Sequence, residues 1–246
     1  MLRVAPQLRG CGCWINSRLF DANWNTVPRY GRFLNHLGAA EICRREREVV
    51  IDRLVRREIF LADLYCERTA QCKIDNYFKS DSLILPIIGN AGVGKTMLLA
   101  HLARRAATQE TVLLLGRDLR EDETDLSIAL TSRLRETAAQ LLGNEGDASR
   151  VATALRKSGR QLTVLLDGLN EVPKPLLGAL PAWIERTVTW LEETGSRLVV
   201  SSRPEFWQIW RELFPRRFIF TEDKFAKTRA WEGIQLGDFS EEEAEK

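Results

Sequence analysis

Apolar positions along the chain fall into two rhythms, helical between about residues 38 and 79 and alternately strand-like and helical afterwards. Up to about residue 37 there is no steady period, and Gly, Asn, Pro and Arg dominate, so residues 1–37 are expected to be loop or poorly ordered. From residue 38 to about 66, Ile42, Val49, Val50, Leu54, Ile59 and Phe60 recur at helical spacing. Glu41/Arg45 and Asp52/Arg56 are pairs four apart with the acid first, which supports a helix. Arg44, Arg45, Arg47, Arg53, Arg56 and Arg57 alternate with Glu46, Glu48, Asp52 and Glu58, the pattern of a solvated helix face rather than of a nucleic-acid surface. A second helix is predicted over 69–79.

After residue 80 the chain alternates. Residues 83–88 are a short apolar run ending in a glycine turn, read as a buried strand, and 95–107 read as a helix. Strands are predicted at 111–115, 162–166 and 198–202, with weaker candidates at 218–220 and 234–236. Helices are predicted at 124–142, 148–157, 181–194 and, short, at 206–214, with a glycine break at 143–146. Apolar strands alternating with helices of this length imply a parallel sheet covered on both faces, an α/β class.

Composition narrows this picture. With 246 residues, 44% of them hydrophobic, the chain can bury a core of one α/β domain plus an extension. A net charge of +2 makes no case for nucleic acid or membrane as the main partner. No apolar run approaches the roughly 20 residues of a membrane helix. Cys11, Cys13, Cys43, Cys66 and Cys72 match no zinc or redox spacing, and His36 and His101 sit near no cysteine pair; reduced thiols in a cytoplasmic protein are expected. The first 20 residues carry Arg3, Arg9 and Arg18 and no acid, a faint likeness to a transit peptide, without the apolar stretch of a secretory signal.

The chemistry begins at Gly89-Asn90-Ala91-Gly92-Val93-Gly94-Lys95-Thr96, a match to G-x-x-x-x-G-K-[ST]. A triphosphate is a dense anion that inward-pointing backbone N–H groups can hold, provided the turn is tight and free of side chains. Gly89, Gly92 and Gly94 permit such a turn. The helix beginning at Lys95 adds its N-terminal partial positive charge. Lys95 is expected on the β- and γ-phosphates and Thr96 on Mg²⁺, and the nucleotide site is taken to extend through Met97. From average residue frequencies, a chance match in a chain this long is about one in a hundred. The flanking strand and helix sharpen it.

The metal and the attacking water need a carboxylate at a neighbouring strand end. Residues 161–167 read Q-L-T-V-L-L-D, so Asp167 is the expected Walker B aspartate, acting with Thr96 on Mg²⁺. Glu171, four residues on, is the candidate general base. Asn170 is read either as aligning water or as capping the following turn. Arg203 follows the apolar strand that ends in Ser201-Ser202, where ligands of open α/β sheets sit, and is placed to sense the γ-phosphate and stabilise charge during transfer.

These segments together resemble the NACHT-type branch of the STAND signalling NTPases. The likeness rests on Ile87-Ile88 and the phosphate loop, on Leu165-Leu166-Asp167-Gly168-Leu169-Asn170-Glu171, and on Ser201-Ser202-Arg203-Pro204. The lead-in Leu64-Tyr65-Cys66-Glu67-Arg68 and the close from Ile234 to Ala244 are also similar. The resemblance covers roughly residues 64–246, leaving 38–63 as a helical extension. It implies a P-loop NTPase three-layer sandwich with a five-stranded parallel core of order 5-1-4-3-2. It also implies a switch in which ADP holds a closed monomer and exchange for ATP permits oligomerisation that activates an effector, in immunity, cell death, transcription control or antiphage defence.

The family often has an acid where Asn170 stands, which implies slow hydrolysis here. Its members continue into a helical subdomain and a winged helix whose histidine contacts the ADP β-phosphate. The sequence stops at Lys246, so a fragment, or a short NTPase working with a separate partner or as a self-oligomer, is expected. The expected function is an ATP- or ADP-binding signalling switch with Mg²⁺ and slow turnover. The alternative is a nucleotide-stabilised interaction module without hydrolysis. A nucleic-acid motor would require a basic stripe or stacking aromatics. Trp183, Trp190, Trp207, Trp210 and Trp231 cluster late in the chain, but core packing or a partner surface explains them more simply. Adenine over guanine rests on the resemblance alone.

Overall fold

The computed structural model describes residues 34–105, 109–142, 147–221 and 233–238. Helix α1 (His36–Arg56) starts where the Asn35 side chain accepts the Gly38 N–H at 2.8 Å, a cap of about 1 kcal/mol. It ends ten residues before the expected limit. The Glu58 and Ile59 amides turn back onto the carbonyls of Val55 and Leu54, with Glu58 at φ 55° in place of the usual glycine. The reversal buries Phe60 instead of extending the helix. Residues Ala62–Leu64 form a 3₁₀ turn, and α2 (Ala70–Lys79) follows.

Five parallel strands form the sheet: β1 (Ile84–Ile88), β2 (Glu110–Leu115), β3 (Leu162–Asp167), β4 (Arg197–Ser202) and β5 (Ile234–Gln235). Their spatial order is β2-β3-β4-β1-β5, which is the expected 5-1-4-3-2. Ile84 pairs with Leu198, Ile87 with Ile234, and Leu115 with Asp167, so β1, β3 and β4 end near one edge of the sheet. The strand expected at 218–220 is reduced to a single bridge, Ile84 to Ile219, beside a 3₁₀ turn at Arg216–Phe218.

Alternate strand residues serve opposite faces. Ile84, Ile88, Val112, Leu114, Val164, Leu166, Leu198 and Val200 pack under α4 (Leu126–Leu142), α5 (Ala148–Arg156), α6 (Lys174–Thr194) and α7 (Pro204–Trp210). Leu85, Ile87, Leu113, Leu115, Leu165 and Val199 pack under α2 and α3 (Lys95–Arg105). Helix α1 serves both cores, with Ala39, Ile42 and Cys43 on one and Val50, Ile51 and Leu54 on the other. It packs on β2 and so covers that edge strand.

Helix α6 begins seven residues earlier than the sequence suggested. Pro181 reads as a start signal, but it sits on the exposed face within the helix, while Pro175 occupies the tolerated first turn. Val49, expected on the apolar face of α1, is instead exposed. The arginines of α1 behave as a solvated face: Arg44 pairs with Glu41 and Glu48, Arg45 with Glu41, and Arg53 with Asp118. Trp183, Trp190, Trp207 and Trp210 are all buried, and Trp190 donates to Ser149 at 3.0 Å. Trp231, Cys11 and Cys13 lie outside the described residues. Among the described residues no helix is long and apolar enough to cross a membrane, and no group of three or more His, Cys, Asp or Glu could hold a metal ion.

Candidate functional site

The C-terminal ends of β1, β3 and β4 open onto a cleft of about 330 Å³. Ala91, Gly92, Gly94, Lys95, Thr96 and Met97 line it from the loop between β1 and α3; Asp167, Gly168, Asn170 and Glu171 from the end of β3; Ser201 and Arg203 from the end of β4; and Ile59 from the turn after α1.

The loop takes the shape its glycines allow. Gly92 and Gly94 have φ of 85° and 88°, a region that side-chain-bearing residues rarely enter. Gly89 has no room for a Cβ, which would fall 2.5 Å from the Leu236 carbonyl oxygen. The amides of residues 90–94 donate to no protein acceptor among the described residues. These are unsatisfied donors at a helix N-terminus, the arrangement an anion fits. Lys95 folds back over the loop, its Nζ donating to the carbonyls of Gly89 and Asn90, each at 2.7 Å. Burial holds its ammonium below the usual lysine range. Arg203 adds like-charge repulsion, while the carboxylates of Asp167 and Glu171 oppose the shift.

Asp167 joins the two halves of the site. Its Oδ2 accepts the Thr96 hydroxyl at 2.6 Å and its Oδ1 accepts the Ser201 hydroxyl at 2.6 Å. Ser201 Oγ in turn accepts the Gly168 N–H at 2.8 Å. One carboxylate and one hydroxyl at 2.6 Å, facing a cleft of unsatisfied amides, form a donor set of hard oxygens suited to Mg²⁺ carrying a phosphate. Thr96 and Asp167 could hold the ion, and the amides with Lys95 the phosphates.

The turn after β3 is compact. Gly168 is left-handed at φ 77°, and the Glu171 amide closes onto the Gly168 carbonyl at 2.8 Å. Gly116, just past β2, sits so close beneath this turn that a Cβ there would lie 2.1 Å from the Gly168 oxygen. Asn170 also lines the cleft and makes a contact that the sequence did not signal. Its Oδ1 accepts the Arg203 N–H at 3.2 Å, tying the β3 turn to the β4 turn. A backbone N–H requires an acceptor, so the amide orientation follows and the NH₂ points elsewhere. The side chains of Glu171 and Arg203 line the cleft and make no hydrogen bond among the described residues.

A protein-family comparison bears on this cleft directly. The family model described as the NACHT domain matches residues 83–246, more than half of the chain. The chain belongs to the NACHT domain family. This NACHT domain is a P-loop NTPase fold that binds nucleotide, a family trait that usually involves Mg²⁺. A search of curated proteins found no significant match.

Similar solved structures include Cdc6p from Pyrobaculum aerophilum, at 12% identity and a TM-score of 0.42, covering 73% of this chain and 49% of that one. A Walker-type ATPase of Pyrococcus abyssi matches at 10% identity and 0.43, covering 74% and 56%. The ORC2 protein of Aeropyrum pernix, in ADPNP–ADP complexes, matches at 17% identity and 0.34, covering 68% and 45%. The chain spans about half the length of these proteins.

Of the residues singled out in the sequence, Ala91, Gly92, Gly94, Lys95, Thr96, Met97, Asp167, Glu171 and Arg203 meet at the NACHT cleft. Gly89, Asn90 and Val93 do not line it. Gly89 and Asn90 supply carbonyls to Lys95, and Val93 turns into the core. Ser201, marked in the sequence only by its place in the strand-end motif, fixes Asp167. The sequence signal was there in the strand-end position, but the choice between Ser201 and Ser202 depends on strand register. Ile59 carried no signal beyond its apolar character.

Proposed function

We propose that this NACHT domain is a cytoplasmic nucleotide-state switch that binds ATP or ADP with Mg²⁺, hydrolyses ATP slowly, and lets the bound nucleotide control self-association or engagement of an effector, as in defence signalling. The observation that carries this reading is the 2.6 Å bond from Thr96 to Asp167, which joins the phosphate loop to the end of β3. The amides of Ala91, Gly92 and Gly94, the loop residues that line the cleft, and Lys95 hold the phosphates, and Arg203 reads the γ-phosphate against its absence. Mg²⁺, held by Thr96 and Asp167, supplies charge neutralisation of the phosphates when bound. Glu171 orients the attacking water and accepts its proton. Slow turnover is supported by Asn170, which offers an amide where a second carboxylate would stand. We further propose 64–246 as the nucleotide-binding domain and 38–63 as its helical extension.

The test is calorimetry with ATP and with ADP, each with Mg²⁺ and with EDTA, followed by phosphate release. Binding of both nucleotides, with release abolished in Glu171→Gln, is the expected result. Failure to bind either nucleotide under any of these conditions would end the proposal. The Asn170 geometry also favours a second reading, a nucleotide-stabilised interaction module; binding without phosphate release in the unsubstituted protein would select it.

A further inference from the structure

Arg68 does not line the cleft, yet it holds the phosphate loop from behind. It is buried, and its guanidinium reaches two parts of the chain, one 25 residues on and the other 169 and 170 residues on. Nη1 donates to the Val93 carbonyl at 2.9 Å, inside the phosphate loop. Nη2 donates to the carbonyls of Gly237 at 2.7 Å and Asp238 at 3.2 Å, in the segment that leaves β5. The same two parts of the chain also meet directly. The Leu236 amide donates to Ile88 at 2.6 Å, and the Leu236 oxygen sits where a Gly89 side chain would begin.

The peptide linking Val93 to Gly94 is trans, so its C=O and N–H point in opposite directions. Drawing the Val93 oxygen towards Arg68 therefore turns the Gly94 N–H away from Arg68. Gly94 lines the cleft, and its N–H donates to no protein acceptor among the described residues. A planar guanidinium can keep both sets of carbonyls at once because its donors form a fixed fork. An ammonium is a single point and cannot span them.

We infer that Arg68 is a positioning residue for phosphate binding, aiming the Gly94 amide at the phosphates, and that through Gly237 and Asp238 it couples the occupied cleft to the chain that follows β5. This rests on the nucleotide reading above. A phosphate that tightens the Gly94 amide tightens the Val93 carbonyl on Arg68 and, with it, the hold on Gly237. By linkage, whatever pulls on the segment after Asp238 loosens the grip on phosphate by the same factor. The switch then has a mechanical connection between nucleotide and exit segment that does not pass through Asp167, Glu171 or Arg203.

The test combines ADP calorimetry with hydrogen exchange of the peptide covering residues 236–238, in the unsubstituted protein, Arg68→Lys and Arg68→Ala. In the unsubstituted protein ADP slows exchange at 236–238. Arg68→Lys, which keeps the charge and fills the site, is expected to stay folded, to lose ADP affinity about tenfold and to lose the exchange response. In Arg68→Ala, free guanidinium at millimolar concentration restores part of both. A purely structural arginine would lower the melting temperature while leaving ADP affinity and the exchange response of the folded Lys variant intact, and that result overturns the inference alone. Absence of ADP binding in the unsubstituted protein overturns it together with the nucleotide reading.

Discussion

The two halves of the cleft are built to different standards. On the side of β1 and α3, nearly every group is fixed. Gly89 is wedged against Leu236, Lys95 is bonded twice to its own loop, Arg68 holds the Val93 carbonyl, and Thr96 is bonded to Asp167. On the side of the β3 and β4 turns, Asp167 is fixed by Ser201, but Glu171 and Arg203 line the cleft without a hydrogen bond from either side chain among the described residues. A phosphate group therefore meets donors whose ordering entropy has already been lost in folding, which favours binding. The groups assigned to water activation and charge stabilisation lack such hydrogen-bonded support, which on the proposed reading would slow the chemical step. The contrast suits a protein that holds its nucleotide tightly and turns it over slowly.

Breaking the ordered half gives the largest effect. Lys95→Ala removes the ammonium that lies over the loop, and calorimetry is expected to show ATP affinity falling about 100-fold, with turnover falling alongside. Glu171→Gln acts on the other half alone. Phosphate release is expected to drop about 100-fold with ATP affinity unchanged; a parallel loss of binding would mean that the two halves are not separable.

Gly116→Ala attacks the support of the β3 turn. Its Cβ would collide with the Gly168 carbonyl, so a loss of about 1–3 kcal/mol in chemical denaturation is expected, together with slower turnover. Asn170→Asp retains an acceptor for the Arg203 N–H but places a negative charge near the γ-phosphate position. ATP affinity is expected to fall about threefold relative to ADP, measured by competition.

The smallest effect is on pH dependence. The Lys95 ammonium is held below its usual range in the free protein, and a bound phosphate raises it again. Its contribution to affinity is then complete below the free-state value and is lost as pH rises through the bound-state value. ATP affinity measured from neutral to alkaline pH should fall in that window, and Lys95→Ala should flatten the profile.

The sequence displayed the parts of the fold whose signals are local. Apolar runs such as the one ending in Asp167 marked the strands, and the glycine spacing from Gly89 to Gly94 marked the loop, because both depend on neighbouring residues. What it did not display depends on partners far along the chain. The acceptors of Arg68 are main-chain carbonyls, which have no residue-type signature, and Gly237 lies 169 residues away. The role of Ser201 depends on the register of β3 against β4, since the neighbouring Ser202 has the same chemistry. Local signals also misled. Pro181 looked like a helix start but is carried on the exposed face of α6, and α1 stopped at Arg56 with no glycine or proline to announce it, because burying Phe60 stabilises the left-handed Glu58.

The account depends most on Thr96 and Asp167 acting as one metal-holding unit at the end of an ordered phosphate loop. The direct measurement is ATP affinity with Mg²⁺ and with EDTA, in the unsubstituted protein and in Thr96→Val, which keeps the side-chain shape and removes the hydroxyl. The unsubstituted protein should bind more tightly with Mg²⁺, and Thr96→Val should erase that advantage while keeping the affinity in EDTA. An Mg²⁺ advantage that survives in Thr96→Val, or one absent from both proteins, would contradict it.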